Sequence, residues 1–355
     1  MCSLFVKVLL GDSIFWFNNS LDSKRYILVM SIYSFETILD KVSQEVSQLN
    51  FHSNVPDLYT PIHYSLSLGG KRIRPILTLM GANLFSDKIE SALPSAIGVE
   101  IFHNFTLLHD DVMDRADVRR GKPTVHKVWD ENRAILSGDA MLIVAYEEVC
   151  RSNSSTLPAL LSLFSRTARE VCEGQQLDMA FESRSDVTTE EYLEMIRLKT
   201  AVLLGCALQM GAISVGASKQ DQEEIYMFGQ NVGLAFQLKD DLLDVYGDPA
   251  KFGKEIGGDI ACNKKTFLLL ESLRLANDAT RARLISAMND LSLDRDSKVE
   301  EVTSIFNEID IKSVCIEKMN FYSDIALASL ERLSIPDERK IELRRLSDML
   351  LSREV

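Results

Sequence analysis

Apolar residues recur at intervals of three and four through most of the chain. Between Ser34 and Leu49 they fall at Phe35, Ile38, Leu39, Val42, Val46 and Leu49, the spacing of one face of an α-helix. Gly69-Gly70 interrupts the pattern, and Pro75 opens the run ILTLMGANLF. Proline suits a first helical position, so the spacing predicts a helix starting there. Ala92 to His109 is largely apolar and reads as a buried helix. Ser137–Cys150 and Leu157–Cys172 continue the periodicity. Thr188 with Glu191 three residues on is a capping box for a long helix towards Met210. Glu223–Val245 follows, then a polar, glycine-containing loop from Gly247 to Asn263. Thr266–Leu275, Thr280–Leu291, Ser297–Phe306, Ser313–Leu333 and a polar segment from Asp337 complete the helical stretches. Strand-like alternation is nearly absent, and there is no long Pro/Ser/Gly linker and no fixed-period repeat. The pattern predicts an all-α fold of ten or more helices in one domain, residues 30–355.

Composition agrees. Seventeen glycines and eight prolines in 355 residues are fewer turn formers than an average chain carries, so the elements are long. The formal net charge of −13 and the lack of a long basic tract argue against nucleic acid as a partner. An anionic substrate stays possible where cations or metal ions are gathered locally. Cys2, Cys150, Cys172, Cys206, Cys262 and Cys315 show no paired metal-ligand spacing; they read as small apolar residues in a reducing, cytoplasmic setting. Residues 1–29 contain only short apolar stretches, broken at Gly11-Asp12-Ser13 and Asn18-Asn19. They fit neither a membrane span nor a secretory signal. A poorly ordered extension, arising from an early start codon, is expected there, with structure beginning after Met30.

Four motifs carry chemistry. Asp110-Asp111-Val112-Met113-Asp114 ends the apolar helix. At 100° per residue Asp110 and Asp114 share a face one turn apart, where like charges repel unless a cation joins them. Grouped carboxylates suit Mg²⁺, which keeps waters and substrate phosphates in its octahedron; a frayed, solvated helix end would carry the same residues. Asp240-Asp241-Leu242-Leu243-Asp244 repeats the spacing 130 positions later, again ending an apolar helix, and repetition argues against chance. Gly69-Gly70-Lys71-Arg72-Ile73-Arg74-Pro75 sets three cations before a helix N-terminus, a place suited to phosphate, or an ordinary basic turn. Arg119-Arg120-Gly121-Lys122-Pro123-Thr124 lies just past Asp114, where its cations can pair with that cluster or meet phosphates on the same metals.

Taken together, GGKRIRP, LLHDDVMD, RRGKPT, Lys199-Thr200 and FQLKDDLLD resemble the trans-isoprenyl diphosphate synthases, the polyprenyl synthetase family, over roughly residues 35–345. The resemblance implies the isoprenoid synthase fold, helices around a deep central cavity, usually as a homodimer. It implies head-to-tail condensation of isopentenyl diphosphate with an allylic diphosphate, dependent on Mg²⁺, about three ions per site with substrate bound. By matching positions, Lys71, Arg74, His103 and Arg120 resemble the isopentenyl diphosphate site. Asp110, Asp114, Asp240 and Asp244 resemble the metal ligands, and with Asp111, Asp241 and Lys199 they form the catalytic set. Arg119, Lys199, Thr200, Gln237, Lys254 and Lys264 resemble contacts to the allylic diphosphate.

Product length is expected to follow the depth of the cavity beneath the first motif. Phe105 and Phe102 lie about 7.5 and 12 Å before Asp110 along a helix. With the small Thr106 they could form its floor, or the two rings could be plain core aromatics. In the family an aromatic five residues before the first motif resembles short-chain enzymes making C20 or C15 products; a longer-chain synthase is the alternative. A class I terpene cyclase would replace the second aspartate motif, and a non-catalytic scaffold subunit would have lost metal ligands; neither change is present.

Overall fold

The computed structural model describes residues 5–10, 13–18, 32–51, 54–248 and 256–351. Near the start, β1 (Phe5–Leu10) and β2 (Ser13–Asn18) pair antiparallel, with Phe5 opposite Asn18 and Leu10 opposite Ser13. The rest of the 1–29 extension lies outside the described residues.

Helix α1 (Phe35–Ser47) begins where the Ser34 hydroxyl accepts the Thr37 N–H, satisfying one of the free donors of the first turn. Helix α2 (Pro56–Ser67) was not foreshadowed by the apolar spacing, because Pro61 sits in its interior. Its buried side, with Ile62 and Leu66, packs against a later helix. Helix α3 (Ile73–Asn83) starts two residues earlier than Pro75 suggested, with Arg72 ahead of it in the left-handed region at φ 50°. Then come α4 (Leu93–Met113), a minimal hairpin β3 (Val118–Arg119) and β4 (Lys122–Pro123), α5 (Val125–Val128), α6 (Glu131–Cys150) and α7 (Leu157–Ser183). The capping box at Thr188 and Glu191 is present and opens α8 (Thr189–Ile196). A π turn, Arg197–Ala201, joins it to α9 (Val202–Ser214).

The second half holds α10 (Lys219–Tyr246), the short α11 (Gly258–Ala261), α12 (Phe267–Leu275), α13 (Asp278–Asn289), α14 (Arg295–Ile309), α15 (Ile311–Glu331) and α16 (Asp337–Leu351). The fold is all-α, as the periodicity predicts.

Helix α9 sits in the middle. Apolar residues surround it on every side, which is the mark of a helix with no solvent face. It packs against α3, α7 and α10. The rod Thr189–Ser214 has the length and apolar character of a membrane span, but 78% of its most apolar stretch is buried inside the fold. One apolar cluster joins α1–α4, α6, α7, α9, the first half of α10 and parts of α15 and α16 around Phe102, Phe164 and Phe228. A second joins α8, α10 and α12–α15 around Tyr192, Leu242 and Phe306. The ends of α4, α7 and α10 and the π turn meet where the two clusters adjoin.

Candidate active site

The first acid motif lies where α4 runs out of buried partners. Asp110 and Asp111 are still within the helix, and Asp114 is its C-cap. Asp111 turns inward, is buried, and accepts a forked pair of bonds from Arg119, 3.0 Å from Nε and 2.5 Å from Nη2. Burial nevertheless raises its pKa, because desolvation outweighs the guanidinium. Asp114 is raised too, by burial and then by the Asp110 charge on the same face. That crowding of like charge is the condition a divalent cation relieves.

The second motif divides its labour differently. Asp241 is buried and is held from three sides, by the Tyr192 hydroxyl of α8, by Gln237 Nε2 at 3.4 Å and by the Phe267 N–H at 3.4 Å. Burial pushes its pKa up to about 7. Its contacts tie α10 to α8 and α12. Asp244 accepts the Asp259 N–H at 3.0 Å and so anchors the start of α11. Asp240 and Asp244 remain half-buried, on the side away from the core.

The π turn joins the two motifs. Its extra backbone residue puts Lys199 and Thr200 where a regular helix would not, a common device at functional sites. Lys199 Nζ lies 3.3 Å from Asp110 Oδ1 and 2.6 Å from Asp178 Oδ2. The Thr200 hydroxyl donates to Gln237 Oε1 at 3.4 Å, one turn before Asp241. Burial opposes the Lys199 charge, but Asp110 and Asp178 outweigh it and its pKa rises. Lys264, at the rim 3.9 Å from Asp259, feels Asp259, Asp178, Asp241 and Asp110 together; these also outweigh burial and raise it. One cation therefore senses acids of both motifs, Asp110 of the first and Asp241 of the second.

Gly174 of α7 makes the turn possible. A Cβ there would stand 2.3 Å from the Lys199 backbone nitrogen. Asp178, one turn further along α7, is a site residue that sequence reasoning did not single out. The available signal was the polar stretch Gln175-Gln176-Leu177-Asp178 directly after a mid-helix glycine.

The basic wall lies on the other side. Gly69 and Gly70 both have positive φ, and a Cβ on Gly70 would collide with the Arg120 guanidinium. Arg120 reaches back to the Gly69 carbonyl, so the two basic motifs interlock. Arg72, on the wall of the same cavity, is occupied by the fold: it pairs with buried Glu100 and donates to the Leu66 carbonyl at 2.6 Å. Arg74 Nη1 is 2.9 Å from His103 Nε2. Burial, together with Arg120, brings Arg74 down to about 10. Burial and the cations Arg74, Arg120, Arg119 and Arg72 hold His103 well below the usual imidazole range. His103 is therefore neutral at pH 7, and Nε2 is its acceptor for Arg74.

Two adjoining cavities fill the space. The larger, about 540 Å³, is lined by Lys71, Arg74, His103, Arg120, Thr200 and Phe236 among others. The smaller, about 280 Å³, runs down between α4 and α7 past Asp110, Lys199, Phe105 and Thr106. Arg74, His103 and Thr200 belong to both walls. Phe105 touches the smaller cavity; Phe102 stands one layer behind it, with ring centroids 5.6 Å apart. The structure thus brings together Asp110, Asp114, Lys199, Thr200, Gln237, Asp241 and Lys264 on one side, and Lys71, Arg74, His103 and Arg120 on the other. Lys254 lies outside the described residues.

The Polyprenyl synthetase family model matches residues 55–309. A short chain isoprenyl diphosphate synthase of Methanocaldococcus jannaschii is 39% identical over 271 residues, covering 76% of this chain and 82% of that protein. A crystal structure of a geranylgeranyl pyrophosphate synthase superimposes with a TM-score of 0.86 at 47% identity, covering 91% of this chain and 100% of that one. A geranylgeranyl pyrophosphate synthase from Corynebacterium glutamicum, complexed with isoprenyl diphosphate and magnesium, superimposes with a TM-score of 0.76 at 28% identity, covering 90% and 98%. With that family model matching over most of the chain and these relatives sharing its length and fold, the chain belongs to the polyprenyl synthetase family.

Proposed function

We propose that this chain is a trans-prenyltransferase that joins isopentenyl diphosphate to an allylic diphosphate and releases diphosphate, with a C20 or C15 product. The observation that carries the reading is the π turn, where Lys199 bonds Asp110 of the first acid motif while its neighbour Thr200 bonds Gln237, which donates to Asp241 of the second. Lys71, Arg74, His103 and Arg120 would grip the isopentenyl diphosphate. Arg119, Lys199, Thr200, Gln237, Lys254 and Lys264 would meet the allylic one.

Among the described residues no three His, Cys, Asp or Glu side chains are close enough to hold a metal by themselves. The carboxylates that crowd together at Asp110 and Asp114 are the donors Mg²⁺ takes, its shell being completed by substrate phosphate and water. Asp110, Asp114, Asp240 and Asp244 would hold it, about three ions per site, supplying positive charge against the departing diphosphate. The fixed donors Lys199 and Lys264 stabilise the same developing charge without reorganising. Phe105, Leu107, Met113 and Val171 line the smaller cavity and keep water from the allylic cation, which water would quench. The double bond of isopentenyl diphosphate attacks that cation, and the proton then lost passes to the released diphosphate. Asp111 and Asp241, both turned into the fold, act as positioning residues.

The exposed Ile135, Leu136 and Ile143 of α6 are the face on which a second copy would pack to give a homodimer. The five described cysteines are free, which suits the cytoplasm. Incubation of the pure protein with isopentenyl diphosphate, Mg²⁺ and, in turn, dimethylallyl, geranyl and farnesyl diphosphates tests the reading. A longer diphosphate supports it, a hydrocarbon would indicate a cyclase, and no turnover would indicate a scaffold subunit.

A further inference from the structure

The floor of the smaller cavity is held from the side by a residue that is not part of it by type. His109 follows Phe105 by one turn of α4, and the two rings meet edge to face with centroids 4.7 Å apart. The far edge of His109 is fixed to α6: Nε2 lies 3.1 Å from the Ile135 carbonyl. A carbonyl only accepts, so Nε2 carries the proton. The ring can lie there because residue 138 is glycine. A Cβ on Gly138 would stand 2.2 Å from His109 Nε2 and 2.4 Å from its Cδ2. The imidazole is thus clamped between a bare stretch of α6 and the Phe105 ring. Behind Phe105, Phe102 rests on Phe164 at 5.3 Å, so retreat in that direction is closed.

We propose that His109 and Gly138 are specificity-determining positions for product length, acting by fixing the Phe105 ring across the path of the growing chain. The proposal rests on the reading of Phe105 as the floor. His109 is a positioning residue here: it leans on the ring that meets the chain. Removing its imidazole leaves Phe105 free to swing towards α6, which deepens the cavity. Adding a methyl group at 138 drives the imidazole into Phe105, which makes the cavity shallower. The two changes therefore move product length in opposite directions, which loss of fold or of metal binding would not do.

The test is the chain-length distribution made by the full-length enzyme from isopentenyl and dimethylallyl diphosphates with Mg²⁺, so that products both shorter and longer than the parent's can form, for the parent, Phe105→Ala, His109→Ala, Gly138→Ala and the His109→Ala/Gly138→Ala pair. The ratio of products is read within each sample, so a drop in total turnover does not disturb it. His109→Ala is expected to raise the share of the next longer product by roughly tenfold, the lower end of what one apolar contact discriminates. Gly138→Ala is expected to shift the share towards the shorter product. The pair is expected to resemble His109→Ala, because the methyl group then meets no ring. Should Phe105→Ala lengthen the product while His109→Ala leaves the parent distribution, the clamp is refuted and the floor stands. An unchanged product in Phe105→Ala removes the floor, and the clamp with it.

Discussion

Replacing Gly174 by alanine should disable the site from behind without touching any group that meets substrate. The new Cβ would lie 2.3 Å from the Lys199 nitrogen and 2.7 Å from its Cα. Both are backbone atoms of the π turn, so no rotamer change relieves the clash. Restoring van der Waals contact requires the turn to retreat by roughly 1 Å, since carbon–carbon contacts settle at about 3.5–4 Å. Lys199 Nζ and the Thr200 hydroxyl retreat with it. A misplacement of about 1 Å at a reacting centre costs on the order of a hundredfold in rate, close to 2.7 kcal/mol. Overpacking adds about 1–3 kcal/mol of lost stability. The assay is steady-state elongation, with kcat and KM for the allylic substrate, beside urea unfolding of the same samples. Gly216→Ala is the control. Gly216 follows α9 at φ +77° with open space around its Cβ, so the change strains the backbone far from the cavity. It should lower stability by about 1 kcal/mol while leaving elongation intact. If Gly174→Ala elongates at the parent rate, or Gly216→Ala loses as much activity for the same loss of stability, the geometric argument is wrong.

Asp110→Ala and Asp240→Ala should each lower turnover by more than roughly a hundredfold while the circular dichroism spectrum is kept, as expected where developing charge loses its counter-ions; parent-like turnover in either would remove the metal assignment. Arg72→Ala removes the counter-ion of the Glu100 carboxylate, whose side chain is only 3% exposed and keeps, among the described residues, just the Asn104 amide as a side-chain donor. It should cost about 3–5 kcal/mol in urea unfolding, the range for breaking a buried ion pair. His103 contributes a definite sign to the pH dependence. Its folded pKa is well below 6.5, so below about pH 6.5 the unfolded chain binds the extra proton and stability falls as the pH drops. His103→Gln should flatten that part of the slope between about pH 6.5 and 5.5; an unchanged slope would mean that His103 binds its proton alike in the folded and unfolded chain.

Much of this was legible in one dimension. Helical spacing depends on which residues face the core, and with α1, α4, α10 and the rod from α8 through the π turn to α9 it predicted elements close to those observed. The capping box at Thr188 and Glu191 is a local pattern and was realised as read. The two Asp-Asp-x-x-Asp motifs and two basic motifs announced their chemistry because carboxylates one turn apart need a reason to be there. Helix α2 escaped because packing on α6, rather than its own periodicity, stabilises it around Pro61.

What the tertiary structure decided is which member of each motif faces which way. Asp111 and Asp241 carry the same charge as their neighbours, yet they turn inward to Arg119 and Tyr192, partners 8 and 49 residues away. Arg72 leaves its basic motif to pair with Glu100, and Asp178 joins the site from a helix without an obvious signature. These are long-range pairings in a medium where an unpaired charge is costly, so burial and geometry choose the partners. The sequence alone determined most of the helices, the family and the kinds of group at the site. Only the packing of α7 and α10 around the π turn determined how those groups meet, because close approach depends on atoms far apart along the chain.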